Sequence, residues 1–290
     1  MDEFRNSDQI KSFLSTVDGW LSEDVSLYLM GGAAMTARQI KPRTDDIDFG
    51  FSTEEHFQHV LNCFLDNGFV ITEEPTESIK GVGRTVKMYN DDAGVEVDIF
   101  ERQVVGKVWI TDRMRERADA FWTGERIEAH LLSEADIFLL KAVSGGDLGV
   151  GRRTDIDDLL RTAQAGIDWN VLIEEIVQQR PFNTGRHEAR LLRDGSHPLL
   201  AIDISVSHLN GLPDNFTKKV TQLGTDAQVE RTVLQTIDDA TTEPKTIREG
   251  VTSSVAILDE DESERVTDAI ERLVEKDVLQ SCEGSLHLAE

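Results

Sequence analysis

The sequence predicts an α/β (α+β) domain with a short mixed sheet, then a helical domain, then a small winged-helix-like C-terminal unit. Three observations carry this. Over residues 1–132, apolar runs of strand length alternate with segments of helical period. Across residues 133–243 helical spacing dominates. In residues 244–290 one amphipathic segment (Val266, Ala269, Ile270, Leu273, Val274) precedes a stretch, Val278 to Ala289, that alternates around Glu283-Gly284. A helix or two followed by a hairpin is the outline of a winged-helix module.

Taken in order, Ile10, Phe13, Leu14, Val17 and Leu21 predict a first helix over 8–21. Val25, Leu27, Tyr28, Leu29 and Met30 form a buried strand that stops at Gly31-Gly32, and a helix-forming segment from Ala33 to Arg38 follows at once. Pro42 breaks the chain before the strand Asp46-Ile47-Asp48-Phe49. Ser52 with Glu55 resembles a capping box for a helix with Phe57, Val60, Leu61, Phe64 and Leu65 on one face. Val70-Ile71-Thr72 is a short strand, and Thr85–Tyr89 pairs with Val95–Phe100 around the turn Asn90–Gly94. Ile127–Leu132 is the last strand of this region, and Ser133 caps the next helix. A loop from Gly145 to Arg153 leads to helices over 155–165 and 168–179. Residues 181–197 read as a loop with a short helix. Two or three more helices follow to Ala240, interrupted at Gly211-Leu212-Pro213 and at Gly224. The Trp and Phe residues fall mostly at core positions.

Composition narrows the class. In 290 residues there are 55 acids and 30 bases, a net charge of −25, and only 10 of the bases are Lys. A uniformly acidic, Lys-poor surface suits concentrated salt, where screening reduces self-repulsion, so adaptation to a salt-rich (halophilic) cytoplasm is expected; an ordinary acidic protein is the alternative. No apolar run approaches the roughly 20 residues of a membrane span, so no membrane association is expected. The N-terminal Met1-Asp2-Glu3-Phe4 lacks the features of a signal peptide, and Cys63 and Cys282 are too few for a disulfide framework or zinc site, which points to the cytoplasm. The seven histidines show no zinc-ligand spacing. Residues 245–290 carry 5 bases and 12 acids, so specific DNA binding by the closing unit is not expected, and a packing or protein-contact role is.

The chemistry concentrates in Val25–Phe51. Residues two apart on a strand share a face, so Asp46 and Asp48 present adjacent carboxylates, which make sense mainly around a hard divalent cation, with solvated strand-start acids as the alternative. Asp98, with Glu96 beside it on a later strand, supplies a third. Gly31 and Gly32 permit a positive φ and a close approach of backbone N–H groups to an anion. Arg43 and Thr44 could contact a triphosphate or brace the carboxylates, and Arg43 could equally be a surface charge. Lys141 interrupts an apolar helix and needs solvent or an anion for its amine. Arg153, Asp155 and Asp158 form either the far wall of a cleft or a helix-start charge cluster, the latter preferred for the two acids.

Gly31-Gly32, the segment Arg43 to Asp48, and Val97-Asp98-Ile99 together resemble the DNA polymerase β-like nucleotidyltransferase superfamily, with 13 residues between Gly32 and Asp46 as its pattern requires. The Leu139-Leu140-Lys141 helix and Arg153–Leu159 resemble its uncharacterised and AbiEii-type toxin branch. The resemblance spans roughly residues 20–165. Gly32 departs from the Ser that many active members carry, and the basic character of a tRNA-modifying enzyme is missing. The resemblance implies two Mg²⁺ ions, with Mn²⁺ as a substitute, held by Asp46, Asp48 and Asp98 as metal ligands and catalytic residues, and an NTP such as ATP on Gly31, Gly32, Arg43, Thr44 and Lys141. It further implies NMP transfer to a hydroxyl of RNA or protein and, in the toxin branch, an antitoxin partner. A rival expectation is a catalytically inactive protein of the same fold, acting as a nucleotide sensor or a protein-binding scaffold.

Overall fold

The computed structural model describes residues 3–73, 84–145, 153–237, 247, 251, 262–282 and 285–289; for 145, 153–155, 262, 263 and 282 it describes backbone alone. The chain divides into two compact units, Met1–Ser144 with Arg153–Glu175, and Gly145–Arg152 with Ile176–Glu290. Most of the expected loop between Gly145 and Arg153 lies outside the described residues.

The first unit is built on a mixed sheet of seven strands. In chain order they are β1 (Val25–Met30), β2 (Asp46–Phe51), β3 (Val70–Glu73), β4 (Thr85–Asn90), β5 (Val95–Glu101), and two later strands. A two-stranded ribbon of β6 (Gln103–Val104) and β7 (Val108–Trp109) intervenes before β8 (Asp119–Thr123) and β9 (Ile127–Leu131). Sheet order is β3-β4-β5-β2-β1-β9-β8, with β2 parallel to β5, β1 parallel to β9, and the other neighbours antiparallel.

One face of this sheet is apolar because the β2 alternation sends Phe49 and Phe51 to one side and Asp46 and Asp48 to the other. Helix α1 (Ser7–Asp18) is capped by Asn6, whose side chain accepts from the Gln9 N–H, and it buries Ile10, Phe13, Leu14 and Val17. Helix α2 (Gly31–Ala37) follows β1 without a linker, and α3 (Glu54–Asp66) buries Phe57, Val60, Leu61 and Phe64. Phe13 stacks on Phe49 and Phe64, and Phe64 meets Phe69 edge-on with centroids 4.7 Å apart. These aromatics are core.

Helices α4 (Asp112–Arg117), α5 (Glu134–Gly145), α6 (Arg153–Gln164) and α7 (Trp169–Gln178) follow, with the boundary between units falling in α7. Arg117 joins α4 to α5 and α7 by pairing with buried Asp136 and with Glu175, the latter at 2.7 Å. Ser133 donates to Asp136 at 2.6 Å, and Thr111 donates to Glu175 at 2.8 Å. The network is fully hydrogen-bonded, as a buried charge requires, and it fixes the start of α5.

The second unit contains α8 (Gly185–Asp194), α9 (Pro198–Ser207), α10 (Asp214–Ile237), α11 (Glu262–Glu275) and the hairpin β10 (Leu279–Cys282) with β11 (Ser285–Leu288). Buried Glu188 accepts from Lys276 and contacts His197 at 3.1 Å, while buried Glu230 takes Arg180 and Arg272 at 2.6 Å each. A helix and a hairpin lie where the sequence suggests a winged-helix-like unit, and residues 238–246, 248–250, 252–261, 283 and 284 of that stretch lie outside the described residues.

Several boundaries differ from expectation for local reasons. Thr53, not Ser52, caps α3 by accepting from the His56 N–H. Helix α1 stops at Asp18 because Gly19 and Trp20 form a turn, and the Asp18 carboxylate accepts from the backbone N–H groups of Glu125, Arg126 and Ile127. Helix α10 runs 24 residues straight through Gly224. A Cβ there would lie 2.6 Å from the Asp203 Cβ, so this glycine serves the close approach of α9 to α10. Strand β8, the β6–β7 ribbon and α4 were not expected from the sequence pattern.

Candidate active site

Strand register assembles the polar face. Asp48 of β2 lies opposite Asp98 of β5 on one side and Met30 of β1 on the other, and Asp98 lies opposite Lys87 of β4. Lys87, Asp98, Asp48 and the end of β1 therefore form one row across four strands, facing the same way. Asp46 stands one step along, opposite Glu96.

Where β1 ends, Gly31 adopts φ +54°, which lets the chain pass from strand into α2 without a loop. A Cβ at Gly31 would overlap the Asp48 Oδ2, and one at Gly32 would overlap the Thr44 Oγ1 and come within 3.3 Å of the Asp46 Oδ1. The glycines thus bring backbone against carboxylates, and the Gly32 N–H donates to Asp48. Gly31→Ala is expected to destabilise the protein by roughly 1–3 kcal/mol through strain and displacement of Asp48. Gly19→Ala, at φ −68° with ordinary spacing around it, should change stability by less than about 0.5 kcal/mol. Urea titration of both variants checks this.

Gly31, Asp48, Asp98 and Lys141 line a single cleft of about 180 Å³, together with Met30, Thr85, Lys87, Phe100, Val104, Val105, Leu140 and Ser144. Lys141, on α5, also lies 3.7 Å from Asp158 of α6, which Lys41 approaches to 3.0 Å. Asp158 is thus bound to two lysines, and the side chains of Arg153 and Asp155 lie outside the described residues. Thr44 is buried and donates to the Asp46 Oδ1 at 2.6 Å, bracing that carboxylate. Arg43 is not brought to the cleft: it is exposed and pairs with Glu3 at 2.6 Å.

Like charges with little solvent raise carboxyl pKa values. Asp48 is held well above its ordinary value by burial, then by Asp46 and Asp98, against the opposing pull of Lys141 and the Gly32 N–H. Burial pushes Asp98 up to about 7; Lys87, whose amine is 4.0 Å away, opposes this, while Asp46, Glu96 and Glu73 add to it. The Asp98 Oδ1 is buried without a hydrogen-bond partner among the described residues. Lys87 was missed in the sequence, yet it was countable there. In the hairpin, Asn90 faces Val95, so Lys87 must face Asp98.

The donor set suits a divalent cation in kind: two hard carboxylates in register, a third beside them, and an orphaned oxygen. Among the described residues no group of three or more His, Cys, Asp or Glu side chains is arranged as a metal-ligand set. One Asp46 oxygen is taken by the Thr44 hydroxyl, while Asp46 and Asp98 both act on Asp48.

Two solved chains are similar to this one over most of their length. JHP933 from Helicobacter pylori is 15% identical, with 79% of this chain and 92% of that chain covered and a TM-score of 0.33. A chain from H. pylori that carries a provisional nucleotidyltransferase name is 16% identical, with 79% and 95% covered and a TM-score of 0.34. Likenesses this distant carry no argument about function. No family model matches the chain, and no curated protein matches it. Among the described residues, no helix is long and apolar enough to cross a membrane.

Proposed function

We propose that this cleft transfers a nucleoside monophosphate from an NTP to a hydroxyl acceptor. The observation that carries the reading is the pairing of Asp48 with Asp98 across β2 and β5, at the foot of the Gly31-Gly32 turn, with Lys141 and Lys87 lining the same cleft. In the reaction the acceptor oxygen forms a bond to the α-phosphorus. The bond from that phosphorus to the bridging oxygen breaks, pyrophosphate leaves, and the hydroxyl proton passes to a carboxylate. Asp98 is the group suited to take it, because its Oδ1 is buried with no hydrogen-bond partner among the described residues. Lys141 is placed to meet the triphosphate, and the Gly31-Gly32 turn brings backbone close to it. Mg²⁺, or Mn²⁺ in its place, would be held by Asp48 and Asp98 with Asp46, and would supply the positive charge that offsets both the carboxylates and the phosphates.

The wider expectations stay with this reading: an NTP such as ATP as donor, RNA or protein as acceptor, and a toxin-like role with an antitoxin partner. So do a winged-helix-like end and a salt-adapted cytoplasmic setting. One observation favours a second reading, a silent nucleotide sensor: one oxygen of Asp46 is already taken by the Thr44 hydroxyl. Titration of each NTP with Mg²⁺ separates the two from no function at all. Binding that Asp48→Asn abolishes is the expected result, and absence of NTP binding to the wild type would remove both readings. Turnover then distinguishes enzyme from sensor.

A further inference from the structure

We propose that the acceptor is a hydroxyl on a protein side chain, seated on an apolar lip made by Phe100, Val104 and Val105. This rests on the nucleotidyl-transfer reading of the same cleft.

Phe100 comes from β5, and Val104 and Val105 from the β6–β7 ribbon. Its turn is closed by the Lys107 N–H donating to the Val104 carbonyl at 3.0 Å, with Val105 at φ +47° and Gly106 at φ +68°. Two left-handed central residues make a type I′ turn, whose usual first residue is Asn, Asp or Gly. A β-branched side chain in that conformation is a strained exception, and such strain gathers at functional sites. Burial does not offset it, because Val105 is 40% exposed. The strained, exposed, apolar residue lines the same cleft as Asp98. An acceptor oxygen that gives its proton to Asp98 enters this cleft, where Val105 is the exposed apolar side chain.

Charge around Asp98 decides between the two acceptor classes. Asp98 and Glu96 stand on β5 and Glu73 on β3, and the amine lining the cleft there, Lys87, is already 4.0 Å from Asp98 and 3.4 Å from Glu73. An RNA end brings a row of phosphates and is normally met by a basic groove with aromatic stacking platforms. Here the two amines that line the cleft, Lys87 and Lys141, each lie within 4.0 Å of a carboxylate, and its one aromatic, Phe100, is buried, on a chain of net charge −25. A protein hydroxyl carries no obligatory negative charge, and its neighbouring side chains can cover the apolar lip.

The test uses α-phosphate-labelled NTPs with two fractions of one cell extract, RNA-free protein and protein-free RNA. The enzymes compared are wild type, Asp48→Asn, Val105→Asn and Val105→Ala. Label is expected in protein alone and absent with Asp48→Asn. Val105→Asn, which suits the turn, should raise the melting temperature yet lower labelling about tenfold, with NTP affinity changed less than twofold. Val105→Ala, which keeps an apolar but smaller contact, should fall between. Label in RNA that depends on Asp48 would overturn the inference while leaving nucleotidyl transfer standing. Protein labelling that is indifferent to Val105 would overturn the lip. NTP binding without Asp48-dependent label in either fraction would end the transfer reading, and the inference with it.

Discussion

Asp48→Asn is expected to abolish nucleotidyl transfer, by a factor of about a thousand or more, while raising the melting temperature of the metal-free protein by a few degrees. Asparagine keeps the shape and removes the charge. Asp48 is the carboxylate on which burial, Asp46 and Asp98 all act in the unfavourable direction. Relief of that repulsion is worth roughly 1–3 kcal/mol, and in a domain of this size each kcal/mol moves the midpoint by about 2–4 °C. The same substitution removes a charge that the reaction needs at the phosphorus, where losing one preorganised group costs about 10²–10³ or more. A gain in stability together with loss of activity marks a functional site.

The second large effect is the response to metal and pH. Mg²⁺ or Mn²⁺ should raise the melting temperature of the wild type by mass action, following the free metal concentration, and should not do so in Asp48→Asn. Melts belong in high KCl, where general screening of the −25 surface is already saturated. An equal response of both proteins to Mn²⁺ would contradict the site. The pH dependence has a definite sign. Burial pushes the Asp98 pKa up to about 7 in the folded chain, against an ordinary value of 3.8. Between these values the folded state binds more protons than the unfolded one, so the metal-free protein loses stability as pH rises from about 4 to 7, and the Asp98 contribution is flat above that. The shift corresponds to about 4 kcal/mol as an upper figure. The difference between wild type and Asp98→Asn should carry this slope, which isolates it from acids such as Asp18 whose pKa is lowered.

The polar face was legible because it follows from two simple periods. Alternation on β2 places Asp46 and Asp48 together, and symmetric counting about the Asn90–Gly94 turn places Asp98 on a strand that pairs with Lys87. What distant packing decides was not legible. Nothing in the sequence says that Arg43 turns to Glu3, or that Asp203 leaves Gly224 inside a continuous helix. Edge strand β8 hid because Asp119 to Thr123 shows no clean alternation, being exposed or half-buried throughout. The Val105 turn hid for the opposite reason: Val104-Val105 looks like strand, and the left-handed backbone that makes it informative violates the residue's own preference.

Nucleotidyl transfer itself is tested most directly by following two labels from the same NTP. Wild-type protein is incubated with Mg²⁺ and cell extract, once with the α-phosphate labelled and once with the γ-phosphate labelled. The α-label is expected to become covalently attached to macromolecule and the γ-label to be recovered as pyrophosphate in equal amount, both depending on Asp48. Attachment of the γ-label would instead show phosphoryl transfer. Bound NTP with neither label transferred would show a sensor, and either result would contradict the account.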